Sequence, residues 1–300
     1  MSSVRSVEFQ TYDGLKLKGT LYGAGEKKKP CIIMTAGFGG EKEHFLPDFA
    51  ARFQAAGYAV LAYDNRNIGE SDGSPRDEVD PEMQMRDYFD AFNYAAKLPE
   101  VDPSKIVYWG SSMSGGNVLK AAALNKNIAA IIAQVPFVSG EWVSRTKAQA
   151  PAGLVLERGH AVASGGPTMV PSLPTTTDEI VQGTSKAILA DPAAVPFIDE
   201  MARRGYKWSS TSTAQSLANC CLFEPLAYVH RISPTPLFMV VAENDSVTDT
   251  QLQLEAFERA LQPKKLRLFR GEDHFSLYFG KPFEANVAAQ IEFLNETFGI

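Results

Sequence analysis

The sequence predicts an α/β fold, a mostly parallel sheet with helices on both faces and an inserted cap. Three observations lead there. Short apolar runs alternate with stretches of helical periodicity along most of the 300 residues. The runs are apolar on both faces, as strands covered on both sides must be. The alternation stops once, between residues 139 and 225, and then resumes. The expected organisation is a core of residues 1–138 and 226–300 with a cap or lid at 139–225. Parallel strands joined through helices imply right-handed crossovers.

The elements follow in order. Val7, Phe9 and Thr11 alternate with polar residues, as do Leu15 and Leu17, and Asp13-Gly14 between them is a two-residue turn signal for a hairpin. CIIMTA (31–36) is a buried-type strand, followed by a helical stretch to Ala56 that Gly57 stops. YAVLAYD (58–64) is the next strand. Residues 81–98 carry Met85, Tyr88, Phe89, Phe92 and Ala96 on one helical side. IVYW (106–109) leads into a helix reaching Asn125, and IAAIIAQV (128–135) is a further strand. The segment 139–225 is rich in Ala, Ser, Thr, Pro and Gly and shows no βα unit, with 165–179 reading as loop. Then come strand PLFMVVAE (236–243), a helix over 248–262, strand KLRLF (265–269) and a last helix over 283–298.

Composition bounds the function. Hydrophobic residues make up 45% and charged residues 21%, enough for a sizeable core. The net charge of −6 disfavours nucleic-acid partners. Cys31, Cys220 and Cys221, an odd number with a vicinal pair, make a poor disulfide framework. The polar start MSSVRSVEFQTYDG does not read as a signal peptide, and no apolar run reaches membrane-spanning length. A cytoplasmic protein with no membrane partner is expected. No cofactor and no metal are expected either, since no metal-ligand spacing occurs.

The sharpest motif is WGSSMSGG (109–116), between a strand and a helix. A nucleophile on a sharp strand-to-helix turn needs small neighbours two residues to either side. Ser112 satisfies this with Gly110 and Ser114. Ser114 satisfies it with Ser112 and Gly116. Of the four histidines, His274 in RGEDHF follows the last strand and can swing over the same sheet edge as the motif. His44, His160 and His230 read as ordinary core or surface residues. Asp245 lies two residues past the apolar run of its strand and can reach the imidazole. Glu243 sits at the strand end and Asp249 opens the next helix. The order Ser112, Asp245, His274 is that of α/β-hydrolases. TAGFGG (35–40) after the first parallel strand supplies an oxyanion hole, with the Phe38 and Met113 N–H groups as the expected donors. In YDNRNIGESDG (63–73), Asp64 and Arg66 are expected to pair and hold the loop. Trp142, Met169, Tyr206 and Trp208 are candidate substrate contacts from the cap.

WGSSMSGG, RRGYKWS (203–209), ISPTPLFMVVAEND (232–245), LQLEAFERA (252–260) and EDHFSLY (272–278) are similar to the fungal polyketide transferase family of the α/β-hydrolase superfamily. Its members are trans-acting acyltransferases, thiohydrolases and hydrolases of polyketide clusters. The resemblance runs nearly end to end and implies Ser112 as the nucleophile, because the family motif tolerates Ser where Ser114 stands. It also implies a polyketide-like acyl ester or thioester, free or carrier-bound, as substrate, with a polyketide synthase as partner. Hydrolysis through a Ser-His-Asp triad is the leading expectation. Acyl transfer to an alcohol or amine is the alternative. A non-catalytic binding protein on the same scaffold is the distant one.

Overall fold

In the computed structural model, residues 3–25, 27–146, 149–174, 176–208 and 211–300 are described. Ser209 of RRGYKWS lies outside them. Ten strands form in chain order: β1 (Ser3–Gln10), β2 (Lys16–Ala24), β3 (Lys29–Thr35), β4 (Ala59–Tyr63), β5 (Val101–Ser111), β6 (Ala130–Gln134), β7 (Met169–Pro171), β8 (Thr211–Thr213), β9 (Leu237–Ala242) and β10 (Lys264–Phe269). Eight make one sheet in the order β1-β2-β4-β3-β5-β6-β9-β10. β1, β2 and β4 pair antiparallel, and every pairing from β4 to β10 is parallel. β4, β6 and β9 are buried at every position, which explains their unbroken apolar runs.

Helices cover both faces. α1 (Leu46–Ala55) carries Leu46, Phe49 and Phe53 inward, and Gly57 ends it at φ 97°. α2 (Pro81–Ala95) starts at Asp80, whose side chain caps the Met83 N–H at 3.1 Å. It stops three residues short of the expected end. α3 (Met113–Leu124) is buried along almost its whole length and carries the elbow. The segment 139–225, which reads as irregular from sequence, is largely helical: α4 (Gly140–Thr146), α5 (Gln149–Ser164), α6 (Thr177–Val181), α7 (Ala194–Arg203) and α8 (Gln215–Leu222). β7 and β8 pair with each other inside it, so part of the expected 165–179 loop is strand. Their apolar residues do not fall on one buried stripe: α5 lies on the surface with Val155, Leu156 and Val162 exposed. α9 (Thr250–Arg259) and α10 (Gly280–Phe298) complete the order.

Two expectations need correction. The hairpin between β1 and β2 closes through Thr11 and Leu15, whose N–H and C=O meet at 2.9 Å. Tyr12, Asp13 and Gly14 lie between, so the loop is longer than two residues. β5 begins at Val101, well before the apolar run at 106, because Val101 pairs with Lys29 across an irregular register.

Candidate active site

β5 delivers Ser112 on a strained turn. Its φ of 58° is unusual for a residue with a side chain and costs about 1–3 kcal/mol, held by the surrounding packing. The Ser112 N–H donates to the Gln134 carbonyl at 2.9 Å, and its own carbonyl accepts from Phe137 N at 2.8 Å. The glycines around it are sterically required. A Cβ on Gly110 would overlap the Ser114 carbonyl, and one on Gly115 would sit 2.8 Å from Pro136 Cα. Ser114 is fully buried. Its hydroxyl hydrogen-bonds Thr35 Oγ1 at 2.6 Å and donates to the Ala36 carbonyl. It therefore pins α3 to the end of β3. Ser112, by contrast, opens onto a cavity.

His274 and Asp245 reach the same place from the loops after β10 and β9. His274 Nε2 lies 3.0 Å from Ser112 Oγ, and Nδ1 lies 2.8 Å from Asp245 Oδ2. Asp245 is 5% exposed and His274 2%. The Asp245 carboxylate has four further donors: the Val247 and Thr248 N–H groups on Oδ1, both at 2.9 Å, and Thr248 Oγ1 and Gln253 Nε2 on Oδ2, at 2.8 and 2.9 Å. Burial pushes this carboxyl up, but the His274 charge and hydrogen bond, with the Thr248 donors, outweigh it and hold the group at about 2. Thr248 and Gln253 were invisible in the sequence, since a Thr and a Gln near a helix start are ordinary N-terminal residues. Asp249 caps α9, accepting from Leu252 N at 3.0 Å, and Glu243 accepts from Gly271 N.

The other histidines lie apart from this chain of bonds. His160 and His230 are exposed. His44 is buried; its Nδ1 accepts from Glu41 N at 3.1 Å, so its Nε2–H donates to the Lys207 carbonyl at 2.9 Å. That pattern fixes the neutral tautomer, and burial lowers the pKa in the same direction.

The TAGFGG loop abuts the elbow. A Cβ on Gly37 would lie 2.9 Å from Ser112 Cβ, so only glycine allows this approach. Phe38 and Met113 line the same cavity as Ser112. The loop is tied down by Lys42, whose N–H and ammonium meet the Asp64 carboxylate at 2.6 and 2.9 Å. Asn65 Nδ2 adds a bond to the Ala36 carbonyl at 3.2 Å. Asp64 and Arg66 do not pair with each other, against expectation. Arg66 instead forks onto Asp87, at 2.8 and 2.5 Å, and onto Asp13.

Two lobes meet at Ser112. The larger, about 180 Å³, is walled by apolar groups, among them Phe38, Phe137, Trp142, Ile188, Leu217 and Val247. The smaller, about 40 Å³, carries His274 with Phe45, Phe197, Trp208 and Tyr278. Trp142 and Trp208 thus reach the cavity. Met169 is 43% exposed on β7 and lines neither lobe. Tyr206 packs on His44 and Phe45 instead, at ring distances of 5.3 and 5.5 Å, and lines neither lobe.

No helix among the described residues is long and apolar enough to cross a membrane. Comparison with known proteins agrees with the fold. The serine aminopeptidase S33 family of hydrolases matches residues 26–278. Thiohydrolase aneE of Aspergillus aculeatus is 35% identical over 97% of this chain and 92% of its own. Polyketide transferase claH of Penicillium crustosum is 30% identical over 100% of this chain and 99% of its own. The crystal structure of the α/β hydrolase GrgF from a Penicillium species superposes with a TM-score of 0.86 at 30% identity, covering 99% of this chain and 100% of that one. Likeness on this scale, extending over the elbow, both site loops and the segment between β6 and β9, identifies the chain as an α/β-hydrolase enzyme that belongs to the family of fungal polyketide transferases and thiohydrolases.

Proposed function

We propose that this protein is a serine hydrolase that cleaves an ester or thioester of a polyketide-like acyl group. The observation that carries the reading is the unbroken chain Ser112 Oγ, His274 Nε2, His274 Nδ1, Asp245 Oδ2, with links of 3.0 and 2.8 Å, at the junction of two cavity lobes. His274 takes the Ser112 proton as Oγ attacks the carbonyl carbon. The Phe38 and Met113 N–H groups receive the developing oxyanion. Collapse expels the thiol or alcohol, protonated by His274, and leaves an acyl ester on Ser112. Water then attacks that ester, gives its proton to His274 and releases the acid, and the proton returns to Ser112.

In this reading residues 139–225 form a lid. They contribute Trp142, Val143, Ile188, Leu189, Leu217 and Cys220 to the apolar lobe. An apolar lining selects an apolar acyl chain. A polyketide-like acyl group is supported by the relatives, which include a polyketide transferase as well as a thiohydrolase. Transfer differs from hydrolysis only in whether an alcohol or amine replaces water at the acyl-enzyme. Fluorophosphonate labelling of wild type and Ser112→Ala tests the nucleophile, and the variant should not label. Intact-protein mass spectrometry with acyl thioesters, with and without an alcohol or amine present, then shows the acyl group carried and its fate. Labelling that survives Ser112→Ala would overturn the reading.

A further inference from the structure

A second concavity adjoins the apolar lobe at Trp142. It is a surface groove of about 800 Å³ lined by Ser139, Glu141, Arg145, Glu224, Leu252 and Arg259. Trp142 lines both spaces, and no other described residue does. We propose that Trp142 is the partition between them and thereby sets the length of acyl chain the enzyme accepts. The inference rests on the reading of Ser112 as the acylated residue.

Several contacts hold the partition in place. The Trp142 N–H donates to Ser139 Oγ at 3.2 Å, and that hydroxyl donates to Glu224 Oε2 at 3.1 Å. Thr146 Oγ1 donates to the Trp142 carbonyl at 2.8 Å. α4 is held against the end of α8 by the Gly140 N–H, which donates to the Phe223 carbonyl at 2.9 Å, an approach so close that a Cβ on Gly140 would lie 2.6 Å from the Cys221 carbonyl oxygen. The indole also packs against the main apolar core. The space it closes is finite. A cavity near 150 Å³ takes a benzene ring, so the 180 Å³ lobe holds on the order of six to eight heavy atoms. A longer chain cannot extend through the wall at Trp142 while the indole stands. With the indole removed, its end would pass into the groove, where Leu252 and Leu226 offer apolar surface inside a charged rim.

The test is kcat/KM for straight-chain p-nitrophenyl esters from acetyl to tetradecanoyl, with the fluorophosphonate labelling rate measured on the same samples. Wild type should gain about four-fold per methylene, the transfer of one methylene from water, until the lobe fills near octanoyl, and then level off. In Trp142→Ala the rise should continue, so that the dodecanoyl-to-octanoyl ratio increases ten-fold or more. Trp142→Phe should move the break by less. If both variants label at the wild-type rate and keep the wild-type break, the partition is overturned. Should Trp142→Ala fail to label, the Trp142→Phe break decides. A wild-type series that never rises with length would overturn the partition together with the apolar lobe as acyl site. Labelling of Ser112 would survive that result, which separates it from failure of the nucleophile assignment.

Discussion

An Asp245→Asn variant keeps the shape of the acid while removing its charge. The carboxyl is held at about 2 against an ordinary 3.8, and at about 1.4 kcal/mol per unit this is on the order of 2 kcal/mol of folding stability. Solvent screens little of it, since Asp245 is 5% exposed. A depressed folded value means the contribution is complete above the unfolded value of 3.8 and disappears as pH falls through about 2. Roughly half should be gone at pH 3. Urea denaturation of wild type and variant at pH 7 should therefore show a gap of about 2 kcal/mol, a few degrees in Tm, and the gap should shrink by about half at pH 3. At neutral pH the turnover of the variant should fall on the order of 10³–10⁴-fold, since asparagine favours the wrong imidazole tautomer. An equal gap at both pH values would refute the claim that the charge of Asp245 is what the Val247, Thr248, Gln253 and His274 donors stabilise.

Ser114→Ala should lose about 1–2 kcal/mol in urea, because its buried bonds to Thr35 and Ala36 vanish, yet Ser112 should still label. Loss of labelling in that variant would move the nucleophile. Gly110→Ala forces the elbow off the Ser114 carbonyl; it should cost about 2–4 kcal/mol and abolish turnover, and a near-normal variant would show the turn to be pliable. Lys42→Met strips the buried Asp64 carboxylate of its cation and should destabilise by about 3–5 kcal/mol, with acylation slowed because the Phe38 loop is released. Unchanged stopped-flow burst kinetics would deny that loop its part.

The sheet and the three candidate site residues were readable because their signals are local. Strands buried on both faces are apolar throughout, and Ser112, Asp245 and His274 follow the carboxyl ends of β5, β9 and β10. The spacing favours Ser112, with Gly110 two residues before it, and leaves Ser114 as a second register. The burial of Ser114 against Thr35, a residue far away in sequence, was not legible. The same holds for Arg66, whose partners Asp87 and Asp13 flank it at a distance, leaving Asp64 to Lys42. The helices between β6 and β9 were missed for another reason. α5 and α6 expose much of their surface, so no apolar stripe reveals their period. Met169 and Tyr206 were chosen for being apolar, and burial elsewhere or exposure satisfies an apolar side chain as well as a cavity does.

Beneath the elbow runs a buried chain of amides. Trp109 Nε1 donates to Gln290 at 2.7 Å, Gln290 and Asn286 both donate to Gln134 at 2.9 and 2.6 Å, Gln134 donates to Ser111 at 3.0 Å, and Ser111 meets Tyr278 at 2.5 Å. Asn286 and Gln290 belong to α10, the final helix. A ribosome makes that helix after every other element of the fold. A nascent chain that already carries Ser112, Asp245 and His274 therefore lacks the amides that seat β5 and β6 under the turn, and buried donors left without them are costly. Seating of the turn that carries Ser112 is thus tied to the docking of α10, a helix far along the chain from it.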